Sequence, residues 1–360
     1  MSKIRSAVPP PLPEVVEGRR YVSAQRDVAL ADTLFVDCHF ERVEWTGCRL
    51  SNLRFVNCTF DANRFDRCEL EKLWYESSRV RDGAWTQSAL QRVSFNECEI
   101  DGGAWAGCLL KDVVCSQSRG GTWTFDAVRG AHVSLIAGDY AGIMLRGGHW
   151  RDTSWIGSRL VDLQLESVEL ENLIAGRSGF ERVVLAECRG INVRWIDSRI
   201  EQMTVQGCEL KQAAWSHSAW VAGGIHASRL PIASFDHASV NGLTVTNSEL
   251  PQAIFDSASV ADSALQGVRA PRIALRDAWL TRVNLAGAQL QQLDARGVHL
   301  ERVDLRGADC RSGNLIGQLR QTWAAADTRE AVFEEATNTD EQIWWQRNYP
   351  GARRYDDEHA

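Results

Sequence analysis

Apolar side chains return along this chain every five residues without a slip. From Val28 to Gly317 the sequence divides into 58 consecutive pentads with no insertion or deletion, and every position divisible by five is a pentad centre. Of these 58 centres, 50 are Leu, Ile, Val, Phe, Trp or Tyr, where ordinary composition would give about a third. Two residues before each centre stands a small or aliphatic residue, with Asn63, Trp123 and Met203 as the exceptions. The other three positions are mostly polar. An α-helix of 3.6 residues per turn cannot keep such a stripe on one face, and a plain strand alternates with period two, so the backbone must turn once per pentad. Fixed-period repetition of this kind marks a solenoid, whose units bury their apolar residues only by stacking on one another.

The length of a full coil is also written in the chain. The stretch from Ser228 to Val240 recurs, twenty residues later, from Ser248 to Val260, and Pro231, Pro251 and Pro271 keep the same interval. Four pentads therefore make one coil. Pentads also alternate. Centres ending in zero usually follow Cys, Ser or Ala (Cys38, Cys48, Ser78, Ser88), whereas those ending in five often follow Val, Leu or Gly (Val43, Leu53, Leu73), so opposite sides are alike. Small inner partners accompany large centres, as with Gly83 and Trp85, Gly103 and Trp105, and Gly148 and Trp150. That pairing keeps the enclosed volume near what a packed core tolerates.

At its C-terminal end the repeat resembles the pentapeptide repeat family, whose loose pattern is a small residue, Asp or Asn, a Leu or Phe centre, and two free positions. The carrying residues are Val283 to Gly287, Val303 to Gly307, Ala308 to Ser312 and Gly313 to Gly317. The resemblance implies an all-β solenoid, a right-handed quadrilateral β-helix of about 14 coils with one pentad per side and the centre pointing inward. The chain departs from the pattern in its many aromatic centres and its few Asp or Asn residues before them.

Both ends leave the repeat. Residues 1–27 read as an extended N-terminal leader and cap containing Pro9, Pro10, Pro11 and Pro13. Residues 28–317 form the β-helix. Residues 318–360 read as a helical cap followed by an aromatic, charged tail: Leu319, Trp323 and Ala326 recur at helical spacing, and Asp327 with Glu330 resembles a capping box. A cap is required, because the last coil would otherwise expose its core and its unpaired strand groups. In the middle, the centres Cys115, Gly120 and Gly130, with Trp123 inward, predict irregular or bent coils around 113–133.

Composition narrows the function. The formal charge is −7, and the repeat region itself is nearly balanced, with 30 basic and 35 acidic residues. Eight of the ten cysteines stand at the small inward position, where stacked side chains run parallel rather than converging. They read as reduced core thiols in a reducing cytoplasm. No apolar run reaches the roughly 20 residues that span a bilayer, and residues 8–13 are no signal-peptide core.

Catalytic chemistry is hard to find. His217 and His237 fall one coil apart with Asp197 above and His226 nearby, but the spacing matches no dedicated zinc motif, and an exposed polar column explains it. Asp236 and Asp256 stack on an open face without the shielding that acid–base pairs need. Gly120, Gly121, Gly147 and Gly148 make no phosphate loop, and no serine has a nucleophile-elbow setting. These features assign no catalytic, cofactor or metal residues, no small-molecule substrate, no direct nucleic-acid contact and no membrane span. They point instead to a non-enzymatic protein-binding scaffold or adaptor with an unknown protein partner. The candidate partner-binding residues are Trp344, Trp345, Tyr349, Trp74 and Trp279, and the C-terminal cap is a place for a homodimer contact. The family resemblance implies a bacterial, cytoplasmic setting near a type VI-like secretion system, with export by a signal-independent route. It also implies an alternative, a DNA mimic that binds a type II topoisomerase such as DNA gyrase. The interspersed Arg42, Arg182, Arg282 and Arg302 would break the negative stripe such a mimic presents.

Overall fold

The computed structural model describes residues 14–333, which form a parallel β-solenoid of about 14 coils. They divide into two compact units, the first running to Leu173 and the second beginning at Ile174. Within the first unit, Arg49–Val56, Glu69–Glu76, Ala89–Asn96, Leu109–Ser116 and Arg129–Ile136 stack in one sheet, and Arg79–Thr86, Glu99–Ala106 and Arg119–Asp126 stack in another. The ladder register is twenty residues throughout these strands, with Leu70 opposite Leu50, Leu73 opposite Leu53 and Tyr75 opposite Phe55. In the second unit Gly179–Ala186, Arg199–Gln206, Ala219–His226 and Ser239–Thr246 continue the same register. Toward its C-terminal end the sides shorten to three-residue strands such as Trp279–Thr281 and to single bridges such as Ser234 to Ile254.

The corner that the five-residue period demands has one backbone form. Every position ending in 2 or 7, from Asp27 to Gly317, has positive φ, and most of these residues are not glycine. The prolines Pro231, Pro251 and Pro271 stand just before such residues, which is the type II turn pairing of Pro at i+1 with positive φ at i+2. Side chains ending in 0, 3, 5 and 8 are the buried set, with half-buried exceptions such as Leu300 and Val303.

Each corner leaves a backbone N–H facing inward, and an inward donor must find an acceptor. Two solutions occur. In the first, a hydroxyl on the next coil accepts it: Ser78 Oγ takes the Cys58 N–H at 3.0 Å and in turn donates to the Glu76 carbonyl at 2.9 Å. Ser88 does the same for Cys68 at 2.9 Å, and Ser228 for Cys208 at 3.0 Å. In the second, the turn closes on itself: Ala238 N–H donates to Phe235 O at 3.0 Å, Ala258 to Phe255 at 3.1 Å and Ala288 to Leu285 at 3.0 Å. The inner residue can then be alanine. This accounts for the drift from Cys and Ser early in the chain to Ala late in it. All ten cysteines are buried thiols outside any disulfide, and burial pushes the Cys58 and Cys310 thiols up to about 12 and those of Cys68 and Cys98 up to about 11.

The glycine–aromatic pairing is a matter of contact. A Cβ on Gly103 would lie 2.3 Å from Trp105 Cη2, and one on Gly83 would lie 2.5 Å from Trp85 Cη2. Gly148 differs: its Cβ would strike the Val128 carbonyl oxygen at 2.1 Å, and it is Gly130, one coil earlier, that makes room for the Trp150 ring. Around 113–133 the pairing runs on without a break, with Trp123 opposite Gly103. Trp123 is accommodated because its indole N–H donates to Ile100 O at 2.8 Å. The small centres there leave an apolar void of about 50 Å³ bordered by Cys115, Trp123 and Leu135.

Both ends of the described chain shift register. Glu14 pairs with Thr33 and Arg20 with His39, an offset of nineteen, before the offset becomes twenty at Gln25 and Trp45. Strand pairing is therefore already present at Glu14, inside the segment read as a leader. Over residues 318–333 the helical reading needs correction. One 3-10 turn, Arg320–Trp323, is the helical element among the described residues. The chain then lies back on the last coil with an offset of eighteen, bridging Asp309 to Asp327 and Asn314 to Val332. Trp323 and Phe333 turn inward to close the core, and the Asp327 carboxylate accepts from the Arg329 backbone N–H at 3.2 Å instead of capping a helix. The spacing of Leu319, Trp323 and Ala326 was a shortened coil, whose two missing residues hid its period.

Candidate interaction surface

A stacked corner puts residues twenty apart directly over one another, so any polar choice made once is juxtaposed with the same choice on the next coil. Like charges there would repel. In two columns the chain alternates them instead, whereas Glu41 over Asp61 and Glu181 over Glu201 stack like charges. In the first unit Arg79, Glu99, Arg119, Asp139 and Arg159 form one outer column: Arg79 Nε donates to Glu99 at 2.6 Å, Arg119 lies 3.8 Å from the same carboxylate, and Arg159 lies 3.3 Å from Asp139. The Arg79 hydrogen bond holds the Glu99 carboxyl below its ordinary range. In the second unit Glu209, Arg229, Glu249 and Arg269 repeat the device, with separations of 3.8, 3.4 and 3.0 Å.

A second device is local. The pairs Asp294 and Arg296, Asp304 and Arg306, Asp309 and Arg311, and Asp327 and Arg329 flank inward centres from positions two apart, so each Asp and Arg emerge on the same outer side. Their closest contacts are 2.8, 2.7, 2.7 and 2.6 Å. The arginine hydrogen bonds lower the Asp304 and Asp309 carboxyls to about 2. Asp294 is buried, whereas the other three pairs lie nearer solvent and contribute little stability singly. Each pair offsets its own charges locally. Asp256 likewise engages Arg276, accepting from its backbone N–H and from Nε at 2.9 Å each, so Asp236 and Asp256 do not act as a carboxylate pair.

The expected aromatic anchors separate. Trp74 is half-buried in the first unit, opposite Arg54 and Ser94. Trp279, in the second unit, is 57% exposed and is the exposed aromatic side chain among the described residues. Its ring lies flat against His299, with centroids 4.1 Å apart and planes 2° apart. Trp344, Trp345 and Tyr349 lie outside the described residues, as does the part of the C-terminal cap, read as a place for a dimer contact, that runs from 334 onward. Of the histidines, His226 is engaged by Thr246 at 2.7 Å. His217 and His237 stack with centroids 4.9 Å apart, and His237 Nδ1 lies 3.0 Å from Asp236. The linear order of the chain suggested Asp197 for this group. The fold places Asp236 there, because Asp236 adjoins His237 on the same coil. The charge ladders were legible as a twenty-residue alternation of Arg and Glu, once the coil length was known. No helix among the described residues is long and apolar enough to cross a membrane.

Comparison with known proteins matches two stretches of the chain to described families. Residues 28–105 match the family described as "Pentapeptide repeat region", and residues 275–317 match "Pentapeptide repeats (8 copies)". No curated protein matches the sequence. Among solved structures, the chain is similar to HetL, a pentapeptide repeat protein involved in heterocyst differentiation regulation from the cyanobacterium Nostoc sp. strain PCC 7120, at 20% identity over 62% of this chain and 89% of that one, TM-score 0.28. It is similar to Rfr23, a pentapeptide repeat protein from the cyanobacterium Cyanothece 51142, at 18% identity over 31% of this chain and 63% of that one, TM-score 0.24. Against full-length QnrB1, a plasmid-mediated fluoroquinolone resistance protein, the identity is 14% over 56% of this chain and 98% of that one, TM-score 0.27. With pentapeptide repeat models matching both ends of the repeat region and the five-residue register unbroken between them, the chain carries pentapeptide repeats.

Proposed function

We propose that this chain is a non-catalytic protein-binding scaffold whose docking point in the second unit is Trp279. The carrying observation is a single one: the described aromatic residues are otherwise buried or half-buried, and Trp279 stands out from a surface whose charges are largely paired. A large, rigid amphipathic ring pre-stacked on His299 loses little freedom on binding and suits the centre of an interface. The family resemblance supplies the setting we infer, an adaptor in a bacterial cytoplasm near a type VI-like secretion machinery. Against the alternative of a DNA mimic stand the alternating ladders, which leave no run of uncompensated carboxylates along either column.

The test pairs capture with stability. Wild type, Trp279→Ala and a chain lacking residues 338–360 are used to capture partners from a bacterial lysate, and each is melted in parallel. A shared partner lost with Trp279→Ala at unchanged melting temperature supports the reading. Loss only with the truncated chain moves the docking point to the tail. Inhibition of purified gyrase by the wild type would replace the scaffold with the mimic.

A further inference from the structure

We propose that His217, Asp236 and His237 form a binding site for a divalent late first-row transition ion such as Zn²⁺, Ni²⁺ or Cu²⁺. The three residues each offer one ligand atom, and these atoms lie within 4.8 Å of one another. A point no more than about 2.8 Å from all three therefore exists, and small side-chain rotations reach the 2.0–2.2 Å of metal–nitrogen and metal–oxygen bonds.

The arrangement is set by the fold. His217 and His237 occupy the same corner on successive coils, at φ of 55° and 53°, so their Cα–Cβ bonds leave the backbone in parallel and their rings differ by only 21°. Backbone hydrogen bonds lock both corners: His217 N–H donates to Asp236 O at 2.9 Å and His237 N–H to Asp256 O at 2.9 Å. Asp236 is held from behind, its N–H donating to Ser234 Oγ, which also contacts Ser216 Oγ at 3.0 Å.

A merely solvated polar column would look different. The charged columns described above set opposite charges on successive coils, whereas this corner sets imidazole on imidazole with a carboxylate beside them. Two protonated rings in that geometry would repel each other, and two neutral rings present ring nitrogens at one place. Two nitrogen donors with one oxygen donor select late transition ions over Mg²⁺ and Ca²⁺, which take oxygen sets. His217 and His237 are exposed and Asp236 is half-buried, so the remaining coordination positions face solvent.

Calorimetric titration of the full, tag-free, chelator-treated chain with ZnCl₂ and NiCl₂ at pH 7.5 should give one site that MgCl₂ and CaCl₂ do not fill. His217→Ala and His237→Ala should each weaken it at least tenfold, and Asp236→Asn severalfold, while His226→Ala leaves it unchanged. Unchanged binding in the His217→Ala, His237→Ala double variant overturns the proposal, as does an equal response to Ca²⁺. Should the variants fold poorly, diethyl pyrocarbonate modification of the wild type decides: Zn²⁺ should protect His217 and His237 but not the exposed His132. Equal modification with and without Zn²⁺ refutes the site.

Discussion

Replacing Gly103 with Ala inserts one methyl into a closed stack of aromatic rings in the first unit. The added Cβ would stand 2.3 and 2.4 Å from two carbons of the Trp105 ring, well inside the roughly 3.5–4.0 Å of a relaxed carbon contact. The stack opposes a shift of the ring. It is sandwiched between Trp85, at 4.6 Å and 1°, and Phe125, at 4.5 Å and 12°, so it cannot tilt without displacing both neighbours. Gly103 is not at positive φ, so Ala costs no backbone strain and recovers about 0.5–1 kcal/mol of chain entropy. Set against an overpacking cost of about 1–3 kcal/mol at the upper end of its range, the net loss should be about 2 kcal/mol. Because stacked repeats open in segments, the assay of choice is native-state hydrogen exchange on the amides of residues 99–126, beside urea unfolding followed by circular dichroism. The mechanism is checked by a cycle. In a Trp105→Leu background the indole is gone, and Gly103→Ala should then cost less than about 0.5 kcal/mol, a coupling of about 1.5 kcal/mol or more. A Gly103→Ala chain as stable as wild type, or a penalty undiminished in the Trp105→Leu background, would refute the steric account.

Four further outcomes follow from the same contacts. Ser78→Ala should cost about 1–3 kcal/mol by orphaning the Cys58 N–H, whereas Ser78→Cys, whose sulfur can take the same bond, should cost less; chemical denaturation separates them. Ile232→Asn should raise stability by about 1 kcal/mol, since a β-branched residue sits there at φ of 59° between Gln212 and Gln252 on the adjoining coils; a lower melting temperature would count against it. The Asp304 and Asp309 carboxyls are depressed in the folded state to about 2, from about 3.9 unfolded, so the stability they contribute is present above about pH 4 and is lost as pH falls toward 2. Melts of the Asp304→Asn, Asp309→Asn chain should therefore fall less steeply than wild type between pH 4 and pH 2. Leu165→Ala, at a fully enclosed centre, should cost about 2–5 kcal/mol by leaving a cavity, measured by urea unfolding.

The sequence by itself determined the coil, because a solenoid converts a one-dimensional period directly into a three-dimensional contact. Once Leu50, Leu70 and Leu90 share an interval of twenty, stacking them is the only way each can be buried, and no long-range choice of partner remains. The same arithmetic made the Trp–Gly compensation at Gly83 and Gly103 readable before any coordinates. What the tertiary structure alone decided lies where the interval fails or where an acceptor must be found. The nineteen-residue offset present at Glu14 and the eighteen-residue return through Asp327 and Val332 were hidden because one or two missing residues erase the period while hydrogen bonding still closes the coil. The left-handed corners were invisible because the stack imposes them on residues such as Ile232 and Thr122 that would not adopt them alone. The grouping of Asp236 with His217 and His237 likewise depended on which way each corner side chain leaves the backbone, a direction set by φ at the turn and carried by no pattern of residue types.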